Sequence, residues 1–564
     1  MSQDLFEQAA RRFDPPTGAW EGFGRRRDRK RRNQRIASAV LALIVAVAAI
    51  GGLFAAFRKG EHRAPATPSI TPSNVANLKL TWSADLGSPA SAVPNNALHV
   101  IWPYPPTVYH GLVFVQTERN MQAFDASCGT GGATCRPLWV FDTGAGYSTP
   151  PTVANGILYV TRAGKLFSFK DGCANGGDTC THRWTADVGR AYDPPVVADG
   201  IVYDYDAAGG TLYAFKTDCS VGMPPGTRTG GVVCAPLWTA TTAPTNRQPP
   251  LFIARYDFRP AVSGGIVYVV SKADDHINRL YAFDTGTGKQ LWVGETPYPL
   301  GQSIDSGNRP VVAGGLVFVN FGDTLYAFPA SCRTDGGKCG PAWTWTYRGS
   351  GHTGPPVVAG GVVYLRSWSS QSAGQTYAFP VDCGTGGVTC KPTWTAADEG
   401  WGNVVLGGDL VVSTSNGQQA LDAYPTSCGS GGSTCAPAWR ATTVAGAPTV
   451  VIANGVVYAG TDGGVSRIGG RLYAFPASCG TSGGECQPAW TSPKSGGWMS
   501  PPAVEGSMLF STTGDGKLYA FGLGGNQRGL SSSQRHNTAV FYIVVAVVAG
   551  TLLLLRVRRR RANS

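Results

Sequence analysis

One structural unit recurs through most of the chain, and its repetition restricts the fold more than any other feature of the sequence. Each copy opens with a Pro-x-Val segment, such as "PPTV" (150), "PPVV" (194) or "RPVV" (309). A glycine with alternating apolar residues follows, as in "GLVFV" (111), "GIVYV" (265) and "GVVYA" (455). A segment like "LYAF" and then a tryptophan segment complete the unit. Each segment has the length and the alternation of a short β-strand.

These units predict an all-β protein, a β-propeller built of four-stranded blades. Their period is roughly 45–55 residues, which is typical of propeller blades. Nine units lie within residues 79–522, and eight blades are the alternative if the unit over 401–442 is irregular. The last unit lacks a tryptophan segment, whereas an unassigned one, "LKLTWSADLG", precedes the first unit. We expect these two ends to pair and close the ring.

The charge of the chain lies in its two ends. Of 47 Lys and Arg, ten lie in residues 1–35 and five in 556–564, while only five of the 35 acidic residues lie there. The central region is therefore nearly neutral, which argues against a nucleic-acid partner. Two apolar runs, 36–57 and 538–555, lie beside the basic ends and are long enough to span a membrane. Because positive charge stays cytoplasmic, both termini are expected inside and the propeller outside the cell membrane.

The expected domain order follows from these runs. It is a basic cytoplasmic tail (1–35), a transmembrane helix (36–57), a linker (58–78), the propeller ectodomain (79–522), a second linker (523–537), a second transmembrane helix (538–555) and a basic tail (556–564). A cleaved signal peptide is the alternative for the first run, since "APA" at 64–66 resembles a cleavage site. The second span would still hold the protein at the membrane.

All fourteen cysteines fall into seven local pairs. The pairs are Cys128/Cys135, Cys173/Cys180, Cys219/Cys234, Cys332/Cys339, Cys383/Cys390, Cys428/Cys435 and Cys479/Cys486. We expect disulfides, because the region is predicted to face an oxidising compartment. Zinc is the alternative, but a six-residue spacing is not that of a zinc knuckle. One internal unit has "TGTGK" at the same position, so each disulfide is expected to staple the hairpin between the "LYAF" and tryptophan strands.

The segment "LYAFDTGTGKQLWVGE" (280–295) resembles the PQQ-like repeat, in which an Ala-containing strand, a Thr-Gly turn and a Trp strand follow one another. The resemblance covers residues 79–522 and implies a propeller, usually of seven or eight blades. It also implies two classes of function. One is a quinoprotein dehydrogenase, and the other is a non-catalytic scaffold similar to the outer-membrane assembly lipoprotein with such repeats.

The connections that lead into the Pro-x-Val strands are the candidate ligand site. They are predicted to line the mouth of the propeller on the face opposite the cysteine loops. The candidates are Trp102, Tyr104, Tyr147, Tyr192, Asp193, Tyr256, Asp257, Arg259, Asn308, Arg309, His352, Trp401 and Trp498. Aromatic and hydrogen-bonding side chains of this kind can hold a flat or sugar-like ligand. The alternative is that they only cap the channel and pack blade against blade. The tryptophans of the fourth strands are expected in the core between blades.

A binding or scaffolding role for a cell-envelope protein or a small ligand is the function that the sequence favours. The alternative is a PQQ-dependent dehydrogenase that oxidises an alcohol or a sugar and uses calcium. The resemblance implies that such an enzyme holds its quinone with adjacent cysteines and its calcium with a Glu/Asn/Asp set. The chain has no Cys-Cys dipeptide and no Cys-x-x-Cys-His motif, and neither Asp193 nor Asp257 is marked as a base. We therefore expect no catalytic residues, no metal and no resident cofactor.

Overall fold

The structure is a computed structural model that describes most of the predicted ectodomain. The described residues are 68–87, 104–117, 119–144, 149–170, 173, 180–191, 193–219, 232–243, 257–272, 277–297, 309–349, 352–368, 374–398, 403–415, 420–442, 444, 449–461, 469–480, 483–497 and 499–523. Within these ranges no helix is long and apolar enough to cross a membrane. Both expected spans, 36–57 and 538–555, lie outside the described residues, so the membrane topology stays a prediction.

Nine antiparallel sheets of at least four strands form the blades. The inner strands of blades 1 to 9 are Thr107–Tyr109, Thr152–Ala154, Val196–Ala198, Ala261–Ser263, Val311–Ala313, Val357–Ala359, Val404–Gly407, Thr449–Ala453 and Ala503–Glu505. The second strands are Leu112–Gln116, Ile157–Arg162, Ile201–Asp206, Ile266–Lys272, Leu316–Phe321, Val362–Trp368, Leu410–Ser415, Val456–Gly460 and Met508–Thr512.

The outer half of each blade contains the third strand and the tryptophan strand. The third strands are Asn120–Asp125, Lys165–Lys170, Thr211–Lys216, Ile277–Asp284, Thr324–Pro329, Gly374–Pro380, Ala420–Pro425, Leu472–Pro476 and Lys517–Leu523. The outer strands are Trp139–Asp142, Trp184–Asp187, Trp238–Thr241, Gln290–Pro297, Trp343–Thr346, Trp394–Asp398, Trp439–Ala441, Trp490–Thr491 and, for blade 9, Leu78–Asp85. The outer strand of blade 9 thus comes from the N-terminal side and pairs with Lys517–Leu523. A short 3-10 helix, Val75–Asn77, precedes it.

The repeated glycine makes the turn between the inner and second strands. In blade 8 the two turn residues, Asn454 and Gly455, have φ angles of 50° and 74°. Positive φ at both central residues is the geometry of the tightest hairpin turn, and Asn-Gly is the pair that adopts it at least cost. The glycine therefore sets the register of the two innermost strands, which is why it recurs.

The tryptophans fill the spaces between neighbouring blades, as the sequence predicts. The ring of Trp292 is fully buried. It lies between Tyr268 of its own blade and Phe328 of the next, with ring centroids 6.0 and 6.2 Å away. Its Nε1 donates a hydrogen bond of 3.1 Å to the carbonyl oxygen of Ala330, again in the next blade. Packing and hydrogen bonding across the gap join each blade to its neighbour.

All seven predicted disulfides are present, so the predicted pairing is confirmed. They are Cys128–Cys135, Cys173–Cys180, Cys219–Cys234, Cys332–Cys339, Cys383–Cys390, Cys428–Cys435 and Cys479–Cys486. The segment that carries each disulfide is here named the clasp. In six blades a two-residue clasp strand pairs in parallel with the outer strand of the preceding blade, which the sequence did not predict. These clasp strands are Ala133–Thr134, Val232–Val233, Lys338–Cys339, Val388–Thr389, Ser433–Thr434 and Gly484–Glu485.

The second cysteine of each clasp has a further contact that the sequence did not predict. The disulfides join the two ends of the outer hairpin of their own blade, as expected. Each second cysteine is buried in the core cluster that contains the tryptophan of the preceding blade. The physical reason is that the clasp crosses the gap between blades and carries this residue into the preceding core. These core cysteines are Cys135, Cys180, Cys234, Cys339, Cys390, Cys435 and Cys486.

The sequence left eight or nine blades open, and the described residues form nine. The unit over 401–442, expected to be irregular in an eight-bladed ring, forms a regular sheet in which Val404–Gly407, Leu410–Ser415, Ala420–Pro425 and Trp439–Ala441 follow in order. The eight-bladed alternative is therefore wrong. Blade 6 is the one with an added strand, His352–Thr353, which pairs with its second strand.

Candidate functional site

The mouth of the propeller is the face at which the inner strands begin and the second strands end. A proline precedes most inner strands, and its missing N–H is tolerated at a strand start. Threonines tie neighbouring starts together, since Thr107 Oγ1 donates to the Pro151 carbonyl and Thr152 Oγ1 to the Pro195 carbonyl, both at 2.8 Å. The starts of these inner strands are therefore held side by side around the mouth.

Five of the thirteen predicted ligand residues have described side chains, and they interact with one another at the mouth. They are Tyr104, Asp193, Asp257, Arg259 and Arg309, here named the mouth cluster. They come from blades 1, 3, 4 and 5, directly before the inner strands. His352 lies in an added strand of blade 6, and only its backbone is described. The others, Trp102, Tyr147, Tyr192, Tyr256, Asn308, Trp401 and Trp498, lie outside the described residues.

Asp257 and Arg259 form a two-pronged ion pair. Arg259 Nε donates to Asp257 Oδ1 at 2.8 Å, and its terminal nitrogen donates to Oδ2 at 2.6 Å. Burial alone would raise the pKa of Asp257, but Arg259 and then Arg309 outweigh it and hold that pKa below its usual value. The side chains of Asp257 and Arg259 are 33% and 35% exposed. Asp257 is therefore ionised, and Arg259 is already occupied by a carboxylate.

Asp193 is the carboxyl group of the mouth cluster whose charge depends on pH near neutrality. Its Oδ2 accepts a 2.9 Å hydrogen bond from the backbone N–H of Phe258 in the next blade. Burial raises the pKa of Asp193 to about 7, and the Asp257 carboxylate acts in the same direction. The hydrogen bond from Phe258 and the charge of Arg259 oppose this rise but do not cancel it. Burial raises the pKa of Tyr104 above its usual value, and the charge of Asp193 acts in the same direction.

Arg309 is the exposed cation of the cluster. It lies close enough to Arg259 and Asp257 for their charges to act on it. Among the described residues it has no hydrogen-bonding partner, and its side chain faces solvent. Asp193, Asp257, Arg259 and Arg309 carry one net positive charge together when Asp193 is protonated and none when it is ionised. Within the described part of the mouth, a guanidinium without a hydrogen-bonding partner thus lies near a carboxyl group whose pKa is about 7.

A second group of polar residues, at the ends of the second strands, was missed by the sequence analysis. Arg162 is buried and donates to the Thr117 carbonyl in blade 1 at 3.0 Å. Asp204 is also buried, and accepts a 2.5 Å hydrogen bond from Thr161 Oγ1. Burial raises the pKa of Asp204 to about 7. The signal was present in the sequence, since a polar residue closes most "GLVFV"-type strands where an apolar one would continue the pattern.

Comparison with known families gives a match over the middle of the chain. Residues 227–429 match a model of PQQ-type repeats, described as "Outer membrane protein assembly factor BamB". The match extends from the clasp of blade 3 to the clasp of blade 7.

Solved structures similar to this propeller include proteins of different kinds. BamB from Moraxella catarrhalis is 14% identical, with 79% of this chain and 99% of that chain covered and a TM-score of 0.41. The computationally designed Ika8 protein is 10% identical, with 79% and 100% covered and a TM-score of 0.45. Quinohemoprotein alcohol dehydrogenase from Comamonas testosteroni is 13% identical, with 84% and 82% covered and a TM-score of 0.43. Scores this low support no argument about function. The comparison with curated proteins gave no match.

The described residues do not fit the calcium–quinone site that the family resemblance implies for a dehydrogenase. All fourteen cysteines are bound in the disulfides of the clasps, away from the mouth. In the described part of the chain, no three His, Cys, Asp or Glu side chains come together as metal ligands. Asp257 is engaged by Arg259 and does not face an open cation site. No catalytic step is therefore derived for this propeller.

Proposed function

We propose that the chain is a membrane-tethered, extracytoplasmic β-propeller that binds an acidic small ligand, or an acidic segment of a cell-envelope protein, and catalyses no reaction. The observation that supports this proposal is the exposed guanidinium of Arg309 in the mouth cluster. The tether rests on the two apolar runs with basic flanks, 36–57 and 538–555. The many clasps suit a scaffold, because they give a rigid ring on which a binding surface can be held.

The charges of the cluster favour an acidic group. Asp257 occupies Arg259, so an incoming carboxylate or phosphate meets Arg309 as the free cation. A guanidinium binds such groups through two parallel hydrogen bonds, which are stronger than bonds between neutral partners. A cationic ligand would meet no free carboxylate in the cluster near pH 6, because the pKa of Asp193 is about 7. The mouth therefore selects for negative charge more strongly as the pH falls.

The test is an equilibrium titration of the purified full-length chain with three labelled peptides that differ only at the C-terminus. The first ends in a free carboxylate, the second in an amide and the third in a phosphoserine followed by an amide. We expect one of the two acidic peptides to bind at pH 6, and Arg309→Gln to weaken it at least about tenfold, since a bond to a charged group contributes ~1.5–3 kcal/mol. Arg333→Gln is the matched control, because Arg333 is an exposed arginine paired with Asp335 in a clasp.

The affinity of the mouth for an acidic group is expected to fall as the pH rises. As the pH rises through about 7, Asp193 loses its proton and the cluster changes from one net positive charge to zero. Asp204, whose pKa burial also raises to about 7, acts in the same direction, while Asp257 keeps the pKa of Arg259 raised and so its charge unchanged. Binding of the peptide with the free carboxylate should therefore be weaker at pH 8 than at pH 6. The phosphoserine peptide is not used for this comparison, because its second pKa of about 6 changes its own charge over the same range. Equal binding of all three peptides, or equal losses in the two arginine variants, would refute the proposal.

A further inference from the structure

The clasps follow one hydrogen-bonding pattern along the outer rim of the propeller. A clasp glycine donates its N–H to the carbonyl of the residue before the tryptophan of the preceding blade, as Gly387 does to Ala342 at 2.8 Å. The second clasp cysteine donates to the carbonyl of the residue after that tryptophan, as Cys390 does to Thr344 at 2.7 Å. The outer strand is thereby no longer an open edge. Six clasp strands repeat this arrangement.

Blade 3 differs, because blade 4 has no clasp. The turn "TGTGK" replaces it, and Asp284 Oδ1 holds that turn tight by accepting from the N–H and hydroxyl of Thr287 at 2.9 and 2.7 Å. Gly288 lies flat on the Trp238 ring, so close that a Cβ there would be 2.5 Å from Cε3. The turn therefore covers the tryptophan but does not extend over the edge of the strand Trp238–Thr241.

Three backbone groups at this edge have no partner among the described residues. In the other blades a clasp pairs with the residues before and after the tryptophan. The equivalent groups in blade 3 are the carbonyl of Leu237 and the N–H and carbonyl of Thr239. The sheet of blade 3 has four strands, and within the described ranges no strand pairs with the outer side of Trp238–Thr241. Thr239 and Thr241 are exposed, and the strand "WTAT" has neither a charge nor a proline to protect its edge. Natural proteins usually protect edges in one of these ways.

Two further outer strands lack a clasp strand, and other segments of the chain contact both of them. On the outer strand of blade 1, the Val140 carbonyl accepts from the N–H of Cys180, in the clasp of blade 2, at 3.4 Å. In blade 8, the 3-10 helix Val75–Asn77 contacts the outer strand Trp490–Thr491, and Trp490 Nε1 donates to the carbonyl of Leu78 at 2.8 Å. Trp238 Nε1 makes the equivalent bond to the Thr285 carbonyl at 2.9 Å. What distinguishes blade 3, among the described residues, is that its outer edge has neither a clasp nor a helix beside it. The series also shows what fits there, since extended segments of this chain occupy the same interface at neighbouring positions.

We propose that the outer edge of blade 3 binds an extended segment of a partner protein, which adds in parallel to Trp238–Thr241 in place of the missing clasp. The segment carries a glycine followed by two or three small or β-branched residues, as in "GGVTC" and "GGSTC" of the chain's own clasps. Backbone hydrogen bonds supply the affinity in strand addition of this kind, and side chains supply selectivity. This site lies on the rim and is independent of the mouth.

The test uses as probe a labelled, disulfide-closed peptide with the sequence of residues 381–392, a clasp free in solution. We expect saturable binding to the full-length chain, and at least about tenfold slower hydrogen exchange at the Thr239 amide when the peptide is bound. A grafted chain, in which residues 285–291 are replaced by residues 381–393, should bind the peptide at least about tenfold more weakly, because its own clasp covers the edge.

The matched control is the same graft with Gly387→Pro in the transferred segment. This graft has the same length but lacks the N–H that pairs with the residue before the tryptophan, so the edge should stay open and the peptide should bind. Thermal melts of both grafts check that they fold. Equal binding to the native and the fully grafted chains, or no binding to the native chain, would overturn the proposal. A dimer of the native chain that the full graft abolishes would show a second copy at the edge instead, and would overturn it too.

Discussion

Replacing Trp292 by alanine should lower the free energy of unfolding by about 3–5 kcal/mol, the usual cost of removing a large buried aromatic side chain. The ring is fully buried between Tyr268 and Phe328. The variant also leaves the Ala330 carbonyl without the hydrogen bond from Nε1. Because these contacts cross from blade 4 to blade 5, the loss weakens an interface as well as a blade.

Urea unfolding followed by circular dichroism measures this effect. Arg309→Ala is the control, because Arg309 is exposed at the mouth and exposed positions usually change stability by no more than ~0.5 kcal/mol. Equal losses in the two variants would contradict the separation between a core of tryptophans and a mouth that binds ligands. That result would indicate that the mouth residues pack blade against blade, the alternative given in the sequence analysis.

Reduction of the seven disulfides should have the largest effect of all, a loss on the order of 10 kcal/mol in unfolding free energy. Closing a loop of about eight residues contributes ~2.5 kcal/mol by chain entropy, and measured gains are often smaller. In six of the cysteine pairs the two residues are seven positions apart, so their loops are of this size. The clasps also pair with the preceding blade, so their loosening exposes outer edges around the ring.

The measurement compares urea unfolding of the oxidised chain with that of the reduced and alkylated chain. The double variant Cys383→Ser with Cys390→Ser serves as a partial control, expected to cost about 2 kcal/mol by the same loop argument. If full reduction changes the unfolding midpoint no more than the Cys383→Ser, Cys390→Ser variant does, the disulfides of the clasps do not stabilise the contacts between blades.

Much of the fold could be predicted because each blade repeats the same local pattern. The Gly-centred turn, the alternating second strand and the tryptophan strand are all set within one unit, and so was the pairing of each cysteine with its neighbour in the same hairpin. The link from each clasp to the preceding blade was missed for a physical reason. It joins residues of different units, for example Trp343 with Val388, and two-residue strands leave no alternation to detect. The burial of Cys390 beside Trp343 follows from the same link, so spacing along the chain could not show it.

The role of the candidate site in binding stays a prediction, and the sequence did not predict the chemistry of its described residues. Its residues were expected at the mouth because they precede the inner strands. That Asp257 would occupy Arg259 and leave Arg309 exposed depends on side-chain geometry, which spacing along the chain does not give. The raised pKa of Asp193 likewise arises from burial and from Asp257, which lies in a different blade. The order of strands along the chain indicates which strand starts are neighbours, whereas side-chain geometry decides which charges are paired among the described residues.

Quinone titration of the purified full-length chain is the measurement that tests the central claim, binding without catalysis, most directly. The chain is titrated with PQQ in the presence of calcium, the absorption spectrum is followed, and dye-linked oxidation of alcohols and sugars is assayed at each step. We predict an unchanged quinone spectrum and no oxidation above the protein-free control, because the described mouth residues provide no calcium ligand set and no cysteine. Saturable oxidation that depends on added quinone would contradict the account and assign the propeller to the dehydrogenases.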